Sequence, residues 1–573
     1  MFRTLSAGLA LWILLSLYAL NTSLKSNPQG DEPHYLLMTV SFIRDHDFDL
    51  ENNFRTRDFE AFTTWNLEPQ RVQAGSGRLV TAHEPGLPVL CALPYLAGGR
   101  TGVTLFLTLL AAVGILLVHK LALLLSRRTS TARIAALVLT ASLPYPLLAG
   151  MVFPDVPAAV LIVLALILLL QPGTTVATLS YSAAVLCALP FLHTKYTLFS
   201  IGLGLLIIHA KRPSPRVLPI PFTLIAIGAA GYFAVQNWIY GDPLFLFRVR
   251  AQGFLNPLDG ILGTLWDREA GLLTFAPVFL LALPGYVAAR REHPALPGVS
   301  VLAALYFLMN ASWMDWHGGH CPPSRYLVPL LPLLAVFTGI ACTSSRKRAM
   351  PILLLLAAPT LMQTLLLLVR VPESVIVRGD GYRMLWEGLP AWMPHLFPSL
   401  LNPDRFTYSH AIALTVTAIL AVLIPFVRAH RTRRLLMIAA PVGILTVIGC
   451  GLGDFGYRQA LIRTPLSDRP PALVSPLPDA RFDDQFPDLA WSEVTGADGY
   501  RWRLIFPDGY QVAAETHRET RLDVPDSFSE AMPDGEYTWQ VAPLKNGRQG
   551  MPSDIRKFRF VRNPSSGQHE VNR

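Results

Sequence analysis

Two adjacent carboxylates, Asp31 and Glu32, follow the first apolar segment of the chain. A carboxylate placed beside a hydroxyl group can act as a general base, taking the proton as the oxygen attacks an electrophilic carbon. Acidic side chains are also favoured at the start of a helix, so the pair alone has an equally good structural explanation. The charged residues at the ends of the later apolar segments help to decide between these two explanations.

Further charged residues stand at the ends of later apolar segments, among them Asp155, Lys195, Arg268 and Arg325. An ionised side chain in lipid is costly unless it faces a cavity or a partner, so these residues are better explained as lining one pocket. The carboxylates could supply a general base, and the three cations could neutralise an anionic group such as a phosphate. The other residues predicted to line this pocket are His34, Tyr35, His83, Glu84, His193, Trp316 and His317.

Simpler explanations remain open for several of these residues. Asp155 could cap the helix that follows it, and Lys195 could extend from a helix end toward the membrane surface. His317 and His320 have a helical metal-ligand spacing, so a divalent metal held with Asp31 and Asp155 is a further alternative. The sequence around His317 is rich in glycine and is not expected to be helical, which argues against that metal. No cofactor is predicted with certainty.

The composition places these residues in a membrane protein. Of the 573 residues, 52% are hydrophobic and 15% are charged, whereas an ordinary soluble domain has about 25% charged residues. Apolar segments long enough to cross a bilayer recur up to about residue 453, which predicts a polytopic α-helical membrane protein with about 13 transmembrane helices. The predicted helices are residues 4–22, 102–125, 131–151, 156–171, 177–192, 196–210, 216–238, 272–289, 297–312, 326–343, 350–369, 410–427 and 435–454.

The distribution of basic residues orients this protein in the bilayer. With a cytoplasmic N-terminus, five successive basic loops fall on the cytoplasmic side, as the positive-inside rule requires. The long loops 23–101 and 370–409 and the C-terminal domain then lie on the outer face of an inner (plasma) membrane. Loop 23–101 is expected to begin with an amphipathic juxtamembrane helix, and the apolar segment 84–99 is expected to lie in the outer interface. The net charge of +9 is therefore explained by topology, and we predict no nucleic-acid partner.

The C-terminal region has a different pattern. From Leu489 onward, polar and apolar residues alternate in short runs that are separated by turn sequences, which predicts a small all-β sandwich. It resembles a fibronectin type III module, with Trp491 as the inward tryptophan. The predicted organisation is a transmembrane domain at 1–455, a linker at 456–480, the sandwich at 481–563 and a disordered tail at 564–573.

The order of the motifs resembles the GT-C superfamily of membrane glycosyltransferases. The branch that it resembles contains the protein O-mannosyltransferases and the lipid A aminoarabinose transferases, as in glycosyltransferase family 39. The motifs that carry the resemblance are Asp31-Glu32, His83-Glu84-Pro85-Gly86, Asp155, Thr194-Lys195, Tyr240-Gly241-Asp242-Pro243, Gly271-Leu272-Leu273-Thr274-Phe275-Ala276-Pro277, Trp313-x-x-Trp316-His317-Gly318-Gly319 and Arg325-Tyr326-Leu327-x-Pro329.

The resemblance implies a monosaccharide donor linked to polyprenyl phosphate, and transfer with inversion. It implies that Asp31 is the catalytic base, that Asp155 is the second acidic residue and that Lys195 contacts the carrier phosphate. One departure is that Glu84-Pro85 stands where the aminoarabinose transferases have Lys-Pro. The sequence thus predicts an enzyme that transfers a sugar to a hydroxyl acceptor on the outer face, with a transporter or flippase of lipid-linked sugars as the alternative. The sugar and the acceptor, which could be a protein, a lipid or a polysaccharide, stay open.

Overall fold

The chain forms two compact units, a helical one within residues 1–449 and a smaller one within residues 450–573. The predicted sites that lie outside the described residues are His320, most of the loop 370–409 and the tail 564–573. The computed structural model describes residues 2–64, 67, 69, 77–251, 257–319, 321–344, 346–369, 390, 392–400, 407–423, 441–456, 466–483, 485–507, 511–516, 519–522, 524, 532–545 and 548–561.

Helices occupy all thirteen of the segments in which the sequence predicts them. They are α1 (Phe2–Lys25), α2 (Glu32–Arg44), α3 (Glu51–Arg55), α4 (Gly86–Ser126), α5 (Thr129–Ala141), α6 (Tyr145–Leu148), α7 (Asp155–Leu170), α8 (Val176–Leu192), α9 (Thr197–Lys211), α10 (Pro219–Tyr240), α11 (Phe245–Ala251), α12 (Pro257–Trp266), α13 (Leu272–Phe275), α14 (Ala282–Ala289), α15 (Leu296–Ala311), α16 (Leu331–Ser344), α17 (Arg346–Val369), α18 (Thr407–Leu423) and α19 (Pro441–Gly456). Short 3-10 turns occur at Asp58–Ala61, Thr194–Tyr196, Pro215–Val217, Pro277–Leu281, Arg325–Leu330 and Met393–Leu396.

Three stretches within the described residues are long and apolar enough to cross a membrane. They are α4, α10 and the continuous helical stretch Arg325–Ser344, and nine shorter apolar helices accompany them. The predicted count of about 13 membrane spans therefore stays a prediction.

Two of the predicted continuous helices are interrupted at prolines. The segment 131–151 divides into α5 and α6 around Pro144, and 272–289 divides into α13, a 3-10 turn and α14 around Pro277. Proline has no backbone N–H and disfavours helical geometry in the preceding residue, which explains both breaks. Conversely, residues 86–99 of the apolar segment 84–99 form the first part of α4, which is kinked at Gly98 and Gly99, the latter with φ of 57°.

Helix α2 differs from the amphipathic surface helix that its sequence predicts. All ten residues from Glu32 to Ser41 are buried, including Glu32, His34 and Tyr35. Helix α4 packs against it, and the two share a large core with α7 and α8. Tertiary packing around the polar face explains the difference, because a buried polar face needs partners that local periodicity does not reveal.

The C-terminal unit contains a small β domain. Its strands are β1 (Leu473–Ser475), β2 (Ala480–Asp483), β3 (Leu489–Trp491), β4 (Gly499–Ile505), β5 (Gln511–Thr516), β6 (Arg521–Leu522), β7 (Gly535–Lys545), β8 (Arg548–Gln549) and β9 (Arg556–Val561). One sheet has the order β1-β3-β6 and the other the order β2-β9-β7-β4-β5, with β8 paired to β7. The first strand lies inside the segment predicted as a linker, so the β domain begins earlier than expected.

A single aromatic core joins the two sheets. Trp491, Tyr537, Trp539 and Val541 are all buried, which confirms the predicted inward position of Trp491. The Tyr537 hydroxyl donates to the Pro533 carbonyl oxygen at 2.7 Å. The strands pair antiparallel except β2 and β9, which are parallel. The likeness to a fibronectin type III module remains a prediction.

Candidate active site

Arg325 lies between two carboxylates that are far apart in the sequence. Its Nη1 donates to Asp31 Oδ2 at 2.8 Å, and its Nε donates to Asp155 Oδ2 at 2.9 Å. The arginine side chain is 3% exposed, and its guanidinium carbon lies 4.0 Å from the centroid of the Phe153 ring. Because buried charges are stable only when they are paired, this arginine holds both carboxylates in their ionised form.

Lys195 contacts the other oxygen of Asp155. Its Nζ donates to Asp155 Oδ1 at 2.8 Å, and the Tyr196 hydroxyl donates to the same oxygen at 2.7 Å. The lysine ammonium also lies 4.2 Å from the centroid of the Tyr326 ring. Asp31, Asp155, Lys195 and Arg325 thus form a group with two negative and two positive charges, which we call the Arg325 cluster.

Helix ends and turns position these side chains. Gly30, with φ of 55°, allows the sharp turn before Asp31, whose carbonyl oxygen accepts the Tyr35 N–H at 3.1 Å. The Asp31 side chain makes no capping hydrogen bond to α2, and Asp155 is the first residue of α7 rather than its cap. The capping explanation therefore fails for Asp155, and the carboxylates of both residues contact cations.

Asp31 is the open member of the cluster. Its side chain is 28% exposed, whereas that of Asp155 is fully buried. Its Oδ1 has no hydrogen-bond partner among the residues that the structure describes. Burial acts to raise the pKa of Asp31, but Arg325 opposes this effect and holds the pKa well below its usual range. The carboxylate is accessible and ionised, yet it is a weak base while Arg325 is paired with it.

Burial is the main cause of the pKa shifts of Lys195, His83 and His34, which lie near Asp31 and Asp155. Burial lowers the pKa of Lys195 to about 8, although the Asp155 carboxylate favours the charged ammonium. It also lowers the pKa of His83 to about 4 and that of His34 to about 3. At neutral pH the lysine is therefore charged and both imidazoles are neutral.

Glu84 organises a second polar group beside the first. It is fully buried, its Oε1 accepts the Thr194 N–H, and its Oε2 lies 3.2 Å from Arg250 Nη2. Arg250 Nη2 also donates to the Ala82 carbonyl oxygen at 2.8 Å, and its Nη1 lies 2.7 Å from His193 Nε2. Glu84 thus fixes both the turn that carries Lys195 and the orientation of Arg250.

A cavity of about 370 Å³ opens beside these two groups. Lys195 and Arg250 line it together with Asn310, and its walls are otherwise mainly apolar and aromatic. This volume is within the range of small-molecule sites, which are about 300–1,000 Å³. The apolar and aromatic wall residues are Leu198, Phe247, Ala251, Met309, Trp313 and Tyr326.

Glu32, His34, Tyr35 and His83, which lie between α1 and α4, make two kinds of contact. Glu32 accepts the backbone N–H groups of Gln29 and Val152, each at 2.8 Å, so it ties this loop to the turn before α7. Tyr35 and His83 have ring centroids 4.6 Å apart. The Tyr35 hydroxyl and His34 Nδ1 are buried without a hydrogen-bond partner within the described part of the chain.

Three predicted pocket residues lie in other surroundings. Arg268 is buried, with its backbone N–H donating to Pro398 O at 2.9 Å and its Nη1 lying 3.4 Å from His395 Nδ1. Trp316 packs against α12, where a side chain at Gly263 would collide with its ring. His317 Nδ1 accepts the Gly319 N–H at 3.1 Å. These contacts do not place the three residues against the Arg325 cluster.

The described residues do not fit the metal alternative. Arg325 occupies one oxygen of each carboxylate, and Lys195 and Tyr196 occupy the second oxygen of Asp155. Among the described residues, no group of three His, Cys, Asp or Glu side chains could hold a metal ion. We therefore derive no step through a metal.

Arg250 is the site residue that the sequence does not single out. Arg248 and Arg250 are two positions apart in the same short helix, α11, and only the structure distinguishes them. Arg248 is mostly exposed and pairs with Asp242, whereas Arg250 turns inward to Glu84. The one available signal is the buried acid that Glu84 introduces, since such an acid requires a cation.

No protein-family model and no curated protein matches the chain. Among solved structures, the chain is similar to ArnT from Cupriavidus metallidurans bound to undecaprenyl phosphate, with 16% identity and a TM-score of 0.44 over 79% of this chain and 75% of that one. The apo state of the same ArnT gives a TM-score of 0.39 at 16% identity, again over 79% and 75% of the two chains. The archaeal oligosaccharyltransferase AglB from Archaeoglobus fulgidus, in complex with an inhibitory peptide and a dolichol-phosphate, has 13% identity and a TM-score of 0.36 over 63% of this chain and 55% of that one. The function is therefore argued below from the geometry of the site itself.

Proposed function

We propose that the chain is an integral-membrane glycosyltransferase. It transfers a monosaccharide from a polyprenyl-phosphate-linked donor to a hydroxyl acceptor on the outer face of the inner membrane. The observation that carries this proposal is the Arg325 cluster, in which an accessible carboxylate lies beside two buried cations. General-base and phosphate-stabilising groups are the two kinds of side chain that sugar transfer from a lipid phosphate requires.

Asp31 acts as the base in this mechanism. The acceptor hydroxyl gives its proton to the free Oδ1 of Asp31 as its oxygen attacks the anomeric carbon. The bond between that carbon and the phosphate oxygen breaks at the same time, and the electron pair leaves with the polyprenyl phosphate. A single displacement of this kind inverts the anomeric centre.

Lys195 and Arg325 stabilise the leaving phosphate. Charge accumulates on the phosphate as the bond breaks, and prearranged cations in a site of low dielectric stabilise such charge strongly. Lys195 reaches the cavity of about 370 Å³ directly, and Arg250 adds a second cation to its wall. We place the donor phosphate at this charged end of the cavity, with the sugar against Trp313 and Tyr326.

Asp155 is a positioning residue. Both of its oxygens accept hydrogen bonds, one from Arg325 and the other from Lys195 and Tyr196, and the side chain is fully buried, so a substrate hydroxyl does not reach it. Its role is to hold two cations close together, which would otherwise repel each other. Glu84 has the corresponding role for Arg250.

The C-terminal domain is proposed to recruit or position the acceptor. It resembles a fibronectin type III module by sequence and lies on the outer face in the predicted topology. The residues proposed for chemistry all belong to the helical unit. The sugar-transfer step therefore requires only that unit.

The test is a transfer assay with purified protein in lipid nanodiscs. Undecaprenyl phosphates that carry different monosaccharides are supplied with crude outer-face acceptors, and release of undecaprenyl phosphate is followed by mass spectrometry. We expect release with at least one donor, and a loss of about 10²–10⁴-fold in Asp31→Asn, which is the usual contribution of a general base. Glu60→Gln is the matched control, because it changes an exposed carboxylate in the same loop.

Two results would overturn the proposal. Full activity of Asp31→Asn would remove Asp31 as the base. Translocation of a lipid-linked sugar across proteoliposomes by a variant that lacks both Asp31 and Asp155, without sugar release in the wild type, would favour the transporter.

A further inference from the structure

We propose that donor binding activates the base by partner exchange. The phosphate of the donor takes the Arg325 Nη1 contact away from Asp31, so that Asp31 becomes a competent base only when a donor is in place. This inference rests on the proposed function and deepens it, because it makes Arg325 a regulatory residue as well as a phosphate contact.

The two contacts of Arg325 differ in how firmly they are held. Nε faces Asp155, which is fully buried and packed among three hydrogen-bond donors. Nη1 faces Asp31, which is 28% exposed and has only this one side-chain contact among the described residues. The guanidinium can therefore keep its inner bond while its outer bond changes partner.

A phosphate competes well for the outer bond. The phosphate of the intact donor is a diester with one negative charge, so it can replace the Asp31 carboxylate as the partner of Arg325 Nη1 with no loss of charge at that position. As the sugar leaves, the phosphate becomes a monoester with about 1.5–2 negative charges and three strong acceptor oxygens near neutral pH. The attraction for Arg325 thus increases during the step in which Asp31 must accept a proton.

When Asp31 loses its contact with Arg325, its carboxylate becomes a stronger base, as general-base catalysis requires. Arg325 is the principal cation that keeps this carboxylate a weak base, and burial acts in the opposite direction. Without a donor, Asp31 stays paired and does not deprotonate an acceptor. The other titratable groups that influence Asp31 are His34, Tyr35, His83, Cys321 and Tyr326.

The exchange conserves atoms and charge. The acceptor proton moves to Asp31, the glycosidic oxygen bond forms, and the bond from the anomeric carbon to the phosphate oxygen breaks. The new negative charge on the phosphate is paired with Arg325, and the charge that Arg325 formerly neutralised on Asp31 is neutralised by the proton. Asp31 lacks a charged partner only between donor binding and proton transfer, and this is the interval in which it acts as the base.

The test measures the protonation of Asp31 directly. Wild-type protein in nanodiscs, with isotope-labelled aspartate, is titrated with pH and followed by infrared difference spectroscopy, and subtraction of the Asp31→Asn spectrum identifies the Asp31 carboxyl band. We expect undecaprenyl phosphate to raise the pKa of Asp31 by about 1–3 units, the usual effect of removing a neighbouring opposite charge. In Arg325→Gln, the pKa should already be raised and the lipid should not move it further.

Native mass spectrometry of the same samples records lipid binding. This measurement distinguishes a failure of the partner exchange from a failure of the proposed function. Saturable lipid binding with an unchanged pKa of Asp31 would overturn the exchange and leave the proposed function standing. Absence of lipid binding would overturn both. A rise of the pKa with inorganic phosphate alone would also support the exchange and would assign it to the phosphate group rather than to the polyprenyl chain.

Discussion

Replacing Asp155 with asparagine removes the charge that holds both cations of the Arg325 cluster. The carboxylate is fully buried and accepts from Lys195 at 2.8 Å, from Tyr196 at 2.7 Å and from Arg325 at 2.9 Å. Removing one partner from a buried ion pair typically costs about 3–5 kcal/mol, because the remaining charge stays buried without compensation. Asparagine keeps one acceptor oxygen and Arg325 keeps Asp31, so we expect the lower end, about 3 kcal/mol.

Thermal unfolding in detergent, followed by tryptophan fluorescence, measures this loss. A change of about 3 kcal/mol should lower the Tm by roughly 2–3 °C in a protein of this size. Glu60→Gln is the control, because its partner Arg57 is 53% exposed and Glu60 itself is 59% exposed, so its cost should stay below about 1 kcal/mol.

A double-mutant cycle tests the electrostatic cause. Adding Lys195→Met to Asp155→Asn removes the cation that Asp155→Asn leaves without a carboxylate partner, so the double variant should be more stable than the sum of the single changes predicts. Asp155→Asn that is no less stable than Glu60→Gln would refute the reasoning. Additive losses in the cycle would show that packing, rather than charge, holds the cluster together.

Three further predictions concern donor binding and the C-terminal domain. Because a lysine is charged below its pKa and neutral above it, and the pKa of Lys195 is about 8, donor KM should rise above that pH, whereas Lys195→Arg should show no such rise until far higher pH. Glu84→Gln releases Arg250 and should raise the donor KM about tenfold with little change in kcat, since a hydrogen bond to a charged group contributes about 1.5–3 kcal/mol. The control variant Glu60→Gln should leave the donor KM unchanged. An unchanged KM in Glu84→Gln would contradict the role of Glu84 in holding Arg250. A chain that ends at residue 465 should still release undecaprenyl phosphate from the donor, and loss of that release in a folded helical unit would show that the β domain takes part in the chemistry.

The helical layout of the first unit could be predicted from the sequence because hydrophobicity and helix length are local properties. The breaks around Pro144 and Pro277 follow the same local rule, since proline ends a helix. Helix α2 could not be predicted as buried, because its polar face is covered by partners that lie far away in the sequence, such as Val152 and His83. The helical periodicity of the sequence indicates which face of α2 is polar, but it does not indicate which residues cover that face.

Some of the residues that the sequence groups into one pocket are in contact in the structure, and others have local partners instead. Asp31, Asp155, Lys195 and Arg325 stand at helix ends on one predicted face, and the structure brings them into contact. Their roles in transfer stay predictions. The same reasoning also grouped Arg268 with them, since a charge at a helix end has the same appearance in a sequence whether it meets a substrate or a local partner such as His395.

Arg250 illustrates the limit of sequence reasoning for this site. Its helix carries two arginines, and the choice between them depends on a carboxylate 166 positions away, at Glu84. The acid at Glu84 is visible in the sequence, but its burial and its partner are not. A buried acid requires a buried cation, and only the fold decides which cation is near enough.

A cryo-EM structure of the protein in nanodiscs with undecaprenyl phosphate bound tests the central claim most directly. We expect the phosphate to lie within hydrogen-bond distance of Lys195 Nζ and of the Arg325 guanidinium, with the contact between Arg325 Nη1 and Asp31 Oδ2 longer than its present 2.8 Å. A phosphate bound away from both cations, for example beside Arg268 and His395, would contradict the claim that the Arg325 cluster is where this protein handles a lipid phosphate.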